Sequence, residues 1–292
     1  MKAIIAGAGG QLGQELLARA PSGVETIPLT AQALDIGDAA AVEQAFRRIR
    51  PQLVINAAAY TAEDRAESEA ELAFRVNRDG AANLAAAAAR TGARLVHVST
   101  DFVFDGRAST PYRPEDATGP LGVYGASKLA GEGAVASAAP GSLIVRTAWV
   151  YSPLGRNFLK TMLRLMGERG SVSVVSDQFG APTSAANLAT TLWAMTQSQA
   201  SGLHHYTDAG AATWYDFAQA IAEEGMRLGL IPAGVEVRPI RTVDYPAPAR
   251  RPAFSVLDTS STAEIIGRTA PHWRVALREV LGRVRDLSRT TA

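Results

Sequence analysis

A tyrosine and a lysine stand four positions apart in Tyr124-Gly125-Ala126-Ser127-Lys128. On a helix, residues at that spacing share one face, one turn above the other. An ammonium held near a phenol favours the phenolate and lowers a tyrosine pKa that otherwise sits at ~10, giving a proton donor for neutral pH. Lysine is scarce: of 29 basic residues only Lys2, Lys128 and Lys160 are lysines. With 7 tyrosines in 292 residues, composition alone gives roughly 0.07 such pairs. A surface helix pair would show the same spacing, so the surroundings decide between the two readings.

The residues that could hold a ligand for this pair lie at the ends of apolar runs. Ala3-Ile4-Ile5-Ala6 reads as a buried strand and leads into Gly7-Ala8-Gly9-Gly10-Gln11-Leu12-Gly13 and a helix. Strand, glycine turn and helix start together make an anion site, with free N–H groups facing a phosphate and no side chains in the way. The spacing is Gly-x-x-Gly-x-x-Gly, in which Gly7, Gly10 and Gly13 leave the backbone open to a dinucleotide's pyrophosphate. The second strand, Val24 to Leu29, contains Pro28, which cannot donate to a ladder. It ends at Thr30, where a fold reading NAD usually carries an acid. No base stands there either, so the expectation leans to NADP(H) over NAD(H). Asp35 and Ile36 could border an adenine, or form an ordinary loop, and Asp38 is placed to cap a helix over 39–50.

Leu53-Val54-Ile55-Asn56 is another buried strand, followed by Ala57, Ala58, Ala59, Tyr60 and Thr61, small enough at first to let a flat cofactor lie on the backbone. Helical spacing with apolar Leu72, Val76 and Leu84 runs to about Arg90. Leu95 to Val98 is the next strand and ends in Ser99-Thr100-Asp101, hydroxyls where open α/β sheets bind ligands. His97 reads as a hydrogen-bonded core histidine. Asp105 to Gly122 is a turn-rich loop near the site. Leu143 to Thr147 returns to the sheet and ends in Ala148-Trp149-Val150-Tyr151.

Strands alternating with helices this often predict a Rossmann-type, doubly wound parallel sheet over residues 1–150. The remainder, 151–292, reads as a smaller α+β region with later returns to the main sheet allowed. In it Leu203–Thr207 and Val235–Arg241 are strand candidates, Tyr245 to Pro252 is stiffened by prolines, and Trp273 to Leu287 is an amphipathic helix.

Composition excludes several classes. A formal charge of +1 with 20% charged residues leaves no electrostatic footprint for nucleic acid or anionic membrane. There is no cysteine, so thiol nucleophiles, disulfides and thiolate metal sites are out, and the expectation is a cytoplasmic protein. The first strand begins at Lys2, which leaves no room for a signal peptide, and no run of ~18 apolar residues predicts a membrane span. Ser99 and Ser127 lack a Gly-x-Ser-x-Gly elbow. His204 and His205, adjacent on a strand, point to opposite faces and cannot share a metal.

Read together, Gly9-Gly-Gln-Leu-Gly13, Asn56-Ala-Ala-Ala59, Ser99-Thr-Asp-Phe-Val-Phe104, Tyr124-Gly-Ala-Ser-Lys128, Thr147-Ala-Trp-Val-Tyr151, Gly180-Ala-Pro-Thr183 and Arg250-Arg-Pro252 carry a resemblance. The chain resembles the dTDP-4-dehydrorhamnose reductases, extended short-chain dehydrogenases/reductases, from Lys2 to at least Pro252. The resemblance implies NADP(H) or NAD(H), a nucleotide-linked 4-keto sugar as substrate, and reduction of that ketone. It puts the general acid on Tyr124, the lysine on Lys128 and a sugar-contacting hydroxyl on Thr100, with Asp101 beside it. It puts the cofactor on Gly10, Gln11, Leu12, Asp35, Ile36, Ala59, Tyr60 and Thr61, and the sugar nucleotide against Trp149. Arg251 is the candidate for the sugar nucleotide's diphosphate, because a guanidinium grips phosphate through two bonds; a loop salt bridge is the alternative.

Two departures stand out. Phe102 occupies a position where such reductases often carry tyrosine. Some dimerise around magnesium held by glutamates, but only Glu15 matches and Ala186 stands where another is needed, so no metal is expected and the chain is a monomer or a homodimer. A 4-ketoreductase for another nucleotide-linked deoxysugar, and a non-catalytic NADP-binding regulatory subunit, are the alternative functions.

Overall fold

The computed structural model describes residues 1–290, the side chain of Thr290 excepted. The apolar runs form β1 (Lys2–Ala6), β2 (Glu25–Leu29), β3 (Leu53–Asn56), β4 (Arg94–Thr100) and β5 (Leu143–Thr147), and Gly202–His205 adds a sixth strand. Every pairing is parallel, in the order Gly202–His205, β5, β4, β3, β1, β2. β3 and β5 are buried along their whole length, as strands covered on both faces must be. β2 ends the sheet, so Pro28 sits where its missing N–H breaks no ladder.

Helices cover both faces. On one side α1 (Gln11–Ala18) and the helix Ala185–Gln197 bury Leu16, Leu188 and Leu192 against Ile5, Ile55 and Val145. On the other, α2 (Ala39–Ile49) and the helices Ala81–Thr91 and Val123–Ala138 bury Phe46, Leu84 and Val135 against Ile4, Val54 and Leu95. Full burial of each such side chain is worth ~1.5–3 kcal/mol. Asp38 caps α2 through the N–H groups of Ala40 and Ala41, at 2.9 and 3.1 Å.

The chain leaves β1 for β2 on one side and returns to lay down β3, β4 and β5 on the other. The strand order therefore reverses between β1 and β3, and the crevice beyond their carboxyl ends is where open α/β sheets bind ligands. Above that crevice, the helices Phe158–Arg169, Trp214–Arg227 and Trp273–Thr290 and the parallel pair Ser171–Val175 with Glu236–Ile240 form a second core around Leu159, Phe217, Ile221, Trp273 and Leu277.

The continuous helix expected up to Arg90 is broken. Ala70–Phe74 passes into a π-helical turn, Arg75–Gly80, before Ala81–Thr91. The wider turn shifts the helical register, leaving Leu72 exposed and turning Asn77 inward. That inward turn matters for the site.

Candidate active site

At the end of β1 the backbone turns at Gly7 with φ of 76°, and a Cβ there would lie 2.6 Å from the Ala58 nitrogen. Only glycine permits this left-handed approach of β1 to the chain leaving β3. Helix α1 then begins after Gly10, whose N-cap position carries no side-chain cap. Its first N–H groups are free for an anion.

Across the crevice, Thr100 closes β4 and Tyr124 and Lys128 project from the helix Val123–Ala138. Gly125 brings that helix in: a Cβ there would lie 2.2 Å from the Phe102 carbonyl oxygen, so no larger residue allows this contact. Ser127 donates to the Tyr124 carbonyl at 2.8 Å and accepts from Asn77 Nδ2 at 2.9 Å. Asn77 Oδ1 in turn accepts from the Tyr60 N–H at 2.8 Å, which ties the segment after β3 to the helix.

Tyr124, Lys128 and Thr100 line one cavity of about 640 Å³ together with Gly10, Gln11 and Trp149. Leu12, Ala57, Ala59, Thr61 and Asp101 also line it. Within it Ser99 Oγ, Thr147 Oγ1 and Tyr151 Oη are buried with no hydrogen-bond partner among the described residues. Unpaired buried polar atoms lining a cavity that also reaches the glycine turn fit a large polar ligand such as a dinucleotide.

The electrostatics correct one expectation. The Tyr124 phenol is pushed up from its usual value, chiefly by burial and then by the Glu63 carboxylate; the Thr100 hydroxyl acts the other way and Asp101 adds to the rise. Lys128 is not among the groups that shift it, and its ammonium donates instead to the Val98 carbonyl at 2.6 Å. Burial brings that ammonium down to about 8, with Glu132 opposing. Asp101 is fully enclosed and raised to about 6 by burial, against hydrogen bonds from Ser255 and Thr100.

Other expected residues lie outside the cavity lining. Gly7 and Ala58 form the turn beneath it. Tyr60 turns its hydroxyl away to Glu69, at 2.6 Å. Asp35 pairs with Arg75 and caps Gly37 at 2.9 Å, and Ile36 is buried against Gly80. Arg251 is held by Asp64 at 3.1 Å, Glu63 at 3.4 Å and the Ala249 carbonyl at 3.2 Å, which is the loop salt bridge. His97 Nδ1 accepts from Asn56 Nδ2 at 3.0 Å, but its Nε2 has no partner among the described residues, so it is only half satisfied. His204 and His205 bond separately, to Ser261 Oγ and the Tyr112 carbonyl.

Five contributors escape a reading of the sequence. Glu63 lines the cavity and is raised to about 7, mainly by burial, with Arg251 lowering it and Asp101 and Asp64 raising it. Trp214 stacks on Trp149 with centroids 3.5 Å apart and an 8° tilt, and Phe158 packs beside it at 4.6 Å. Trp149 is held in the left-handed region with φ of 47°, strain of a kind that collects at ligand sites. Asn77 is visible only once the π-helical turn is known, and Arg156 completes the set on the loop before Phe158.

Glu15 is buried with one oxygen on Arg19 and the other 2.8 Å from Arg283 Nη1. Among the described residues no group of three His, Asp or Glu side chains could hold a metal ion, and no helix is long and apolar enough to cross a membrane.

Comparison with known proteins follows the same outline. A family model described as the RmlD substrate binding domain matches residues 1–286. A dTDP-4-dehydrorhamnose reductase of Burkholderia thailandensis is 43% identical over 288 residues, 95% of this chain and 97% of that one. A crystal structure of a dTDP-4-dehydrorhamnose reductase from Clostridium acetobutylicum superposes with a TM-score of 0.92 at 40% identity, covering 98% of this chain and 100% of that one. The Bacillus anthracis reductase, solved in complex with NADP, gives 0.91 at 36% identity over 97% and 99%.

Proposed function

This chain belongs to the RmlD family, whose curated relatives are dTDP-4-dehydrorhamnose reductases, and from that premise we propose that it reduces the C4 ketone of dTDP-4-dehydro-L-rhamnose to dTDP-L-rhamnose. The observation that carries the reading is the convergence of Tyr124, Lys128 and Thr100 in one cavity that also reaches the turn at Gly10. A reduced nicotinamide dinucleotide, when bound, supplies the hydride.

Gly10, Gln11 and Leu12 would hold its diphosphate, Asp35 and Ile36 its adenine edge, and Ala57 to Thr61 its nicotinamide side. NADPH is favoured over NADH, since no carboxylate at Thr30 stands ready for a ribose 2′-hydroxyl. Tyr124 donates its proton to the C4 oxygen as negative charge builds there, and Thr100 turns its hydroxyl from Asp101 to the same oxygen. Lys128, charged below about 8, leaves the Val98 carbonyl for the cofactor ribose and stabilises the phenolate left behind. Trp149, backed by Trp214, forms a flat wall for the sugar nucleotide, and Asp101 borders the sugar. Arg251 reaches the substrate's diphosphate only by leaving Glu63 and Asp64.

The experiment is to follow NADPH and NADH oxidation by the purified chain with dTDP-4-dehydro-L-rhamnose and to determine the product by NMR. Oxidation that yields the other C4 configuration would assign a different deoxysugar reductase. No oxidation with any dTDP-4-keto sugar, despite cofactor binding, would favour a regulatory subunit.

A further inference from the structure

Arg156 lines the cavity beside Gly9, Gly10 and Gln11, and its exposed guanidinium has no ion-pair or hydrogen-bond partner among the described residues. The other cation lining that cavity, Lys128, is buried and bonded to a carbonyl. The loop that carries Arg156 is fastened. Asn157 Nδ2 donates to Gln11 Oε1 at 2.7 Å and to the Ser152 carbonyl at 2.8 Å, while Ser152 Oγ accepts from the Leu154 N–H at 2.9 Å. The loop is therefore tied directly to the first residue of α1, and the residue before Asn157 brings an unpaired positive charge to the cavity that the start of α1 also lines.

A pyrophosphate at the start of α1 receives N–H groups from one side only. Its outward oxygens need a donor from above, and a guanidinium supplies two N–H groups in a plane. We propose that Arg156 is a further cofactor-binding residue, clamping the dinucleotide's pyrophosphate against the start of α1 from the upper lobe. This rests on the reading of the cavity as a dinucleotide site. It also makes the cofactor a bridge between the sheet and the helix Phe158–Arg169 that follows the loop.

The test is cofactor binding without sugar, followed through fluorescence of the cavity tryptophans, for wild type, Arg156→Ala and Arg156→Lys. NADPH and NADH share the pyrophosphate, so Arg156→Ala should weaken both by about tenfold, the loss of one charge-assisted contact, with a smaller dependence on salt. Arg156→Lys should recover part of the loss, and melting temperatures should not change because the side chain is exposed. Unchanged affinity for both cofactors would overturn the clamp. Weakening of NADPH alone would move the guanidinium to the 2′-phosphate, and a rise only in the KM for the sugar nucleotide would move it to the substrate's diphosphate; either overturns the assignment. If wild type binds neither cofactor, the dinucleotide reading itself fails, whereas a failure of sugar reduction alone leaves this measurement intact.

Discussion

Replacing Thr100 by valine keeps the shape of the side chain and deletes one oxygen, so it isolates the hydroxyl. In the structure that oxygen donates to Asp101 Oδ1 at 3.1 Å and accepts from the Phe102 N–H at 3.2 Å. Among the described residues it is also the one group that pulls the Tyr124 phenol down while burial, Glu63 and Asp101 push it up. Two losses follow. A hydrogen bond to a charged oxygen is worth ~1.5–3 kcal/mol, or ~10–150-fold in rate, and removal of a single oxyanion donor elsewhere costs ~10²–10³ in kcat. Tyr124 also becomes a weaker acid. The expected result for Thr100→Val is a kcat about 10²-fold lower with cofactor affinity unchanged, measured by steady-state reduction and fluorescence titration.

The substitution also strands the Phe102 N–H, at a cost of ~1–3 kcal/mol in stability. Activity must therefore be compared well below the melting temperature. Thr100→Ser keeps the oxygen and should recover most of the rate. A valine variant within about threefold of wild type, a difference of only ~0.7 kcal/mol, would remove Thr100 from the chemistry and leave it as the residue that shapes the turn at Asp101.

Tyr124→Phe should lose ~10²–10⁴ in kcat with NADPH affinity nearly kept; full activity would take the phenol out of the reaction. Glu63 is neutral below about 7 and ionised above it, and its ionised form both weakens the Tyr124 acid and repels the developing alkoxide. Activity should then fall as pH rises through about 7, and in Glu63→Gln the fall should move to about 8, where Lys128 loses its charge; an unmoved pH–kcat profile would show that the carboxyl is not felt. Glu132 binds Arg146 through two bonds of 2.9 and 2.7 Å, both side chains buried. Glu132→Ala leaves that guanidinium without a counter-charge and should cost ~3–5 kcal/mol by urea denaturation, whereas Glu236→Ala, which breaks an exposed pair with Arg238, should leave the urea midpoint nearly unmoved. Gly125→Ala should abolish activity, because the new methyl meets the Phe102 carbonyl, and a soluble, active variant would contradict the packing.

Much of this was legible in the residues because it is local. Apolar runs of four or five residues bounded by glycine and alanine locate β1, β3 and β5 to within one residue. Asp38 announces its cap, and the spacing of Tyr124 and Lys128 needs only a helix. What stayed hidden depends on contacts across the chain. The π-helical turn at Arg75–Gly80 breaks the period that an apolar pattern assumes, so apolar Leu72 faces solvent while Asn77, which that pattern passes over, turns inward. Arg251 reads first as a diphosphate ligand and Glu63 gives no signal, because nothing near them in sequence shows that they meet, at 3.4 Å, beside the cavity. Trp214 gives no sign of Trp149 until both cores are in place.

The direction of the Tyr124 shift bears on how the site works. A phenol raised by burial keeps its proton throughout the neutral range, which a donor must do, but it gives that proton up only to a stronger base. The alkoxide that forms as hydride arrives at a ketone is such a base, so the raised value matches the reaction's demand at its late stage. In the structure Lys128 is bonded to the Val98 carbonyl, and among the described residues only the Thr100 hydroxyl favours the phenolate. Under the proposed mechanism, a lysine that exchanges a backbone carbonyl for its ligand would make the acid strongest when the cavity is filled and would hold the proton back when it is empty.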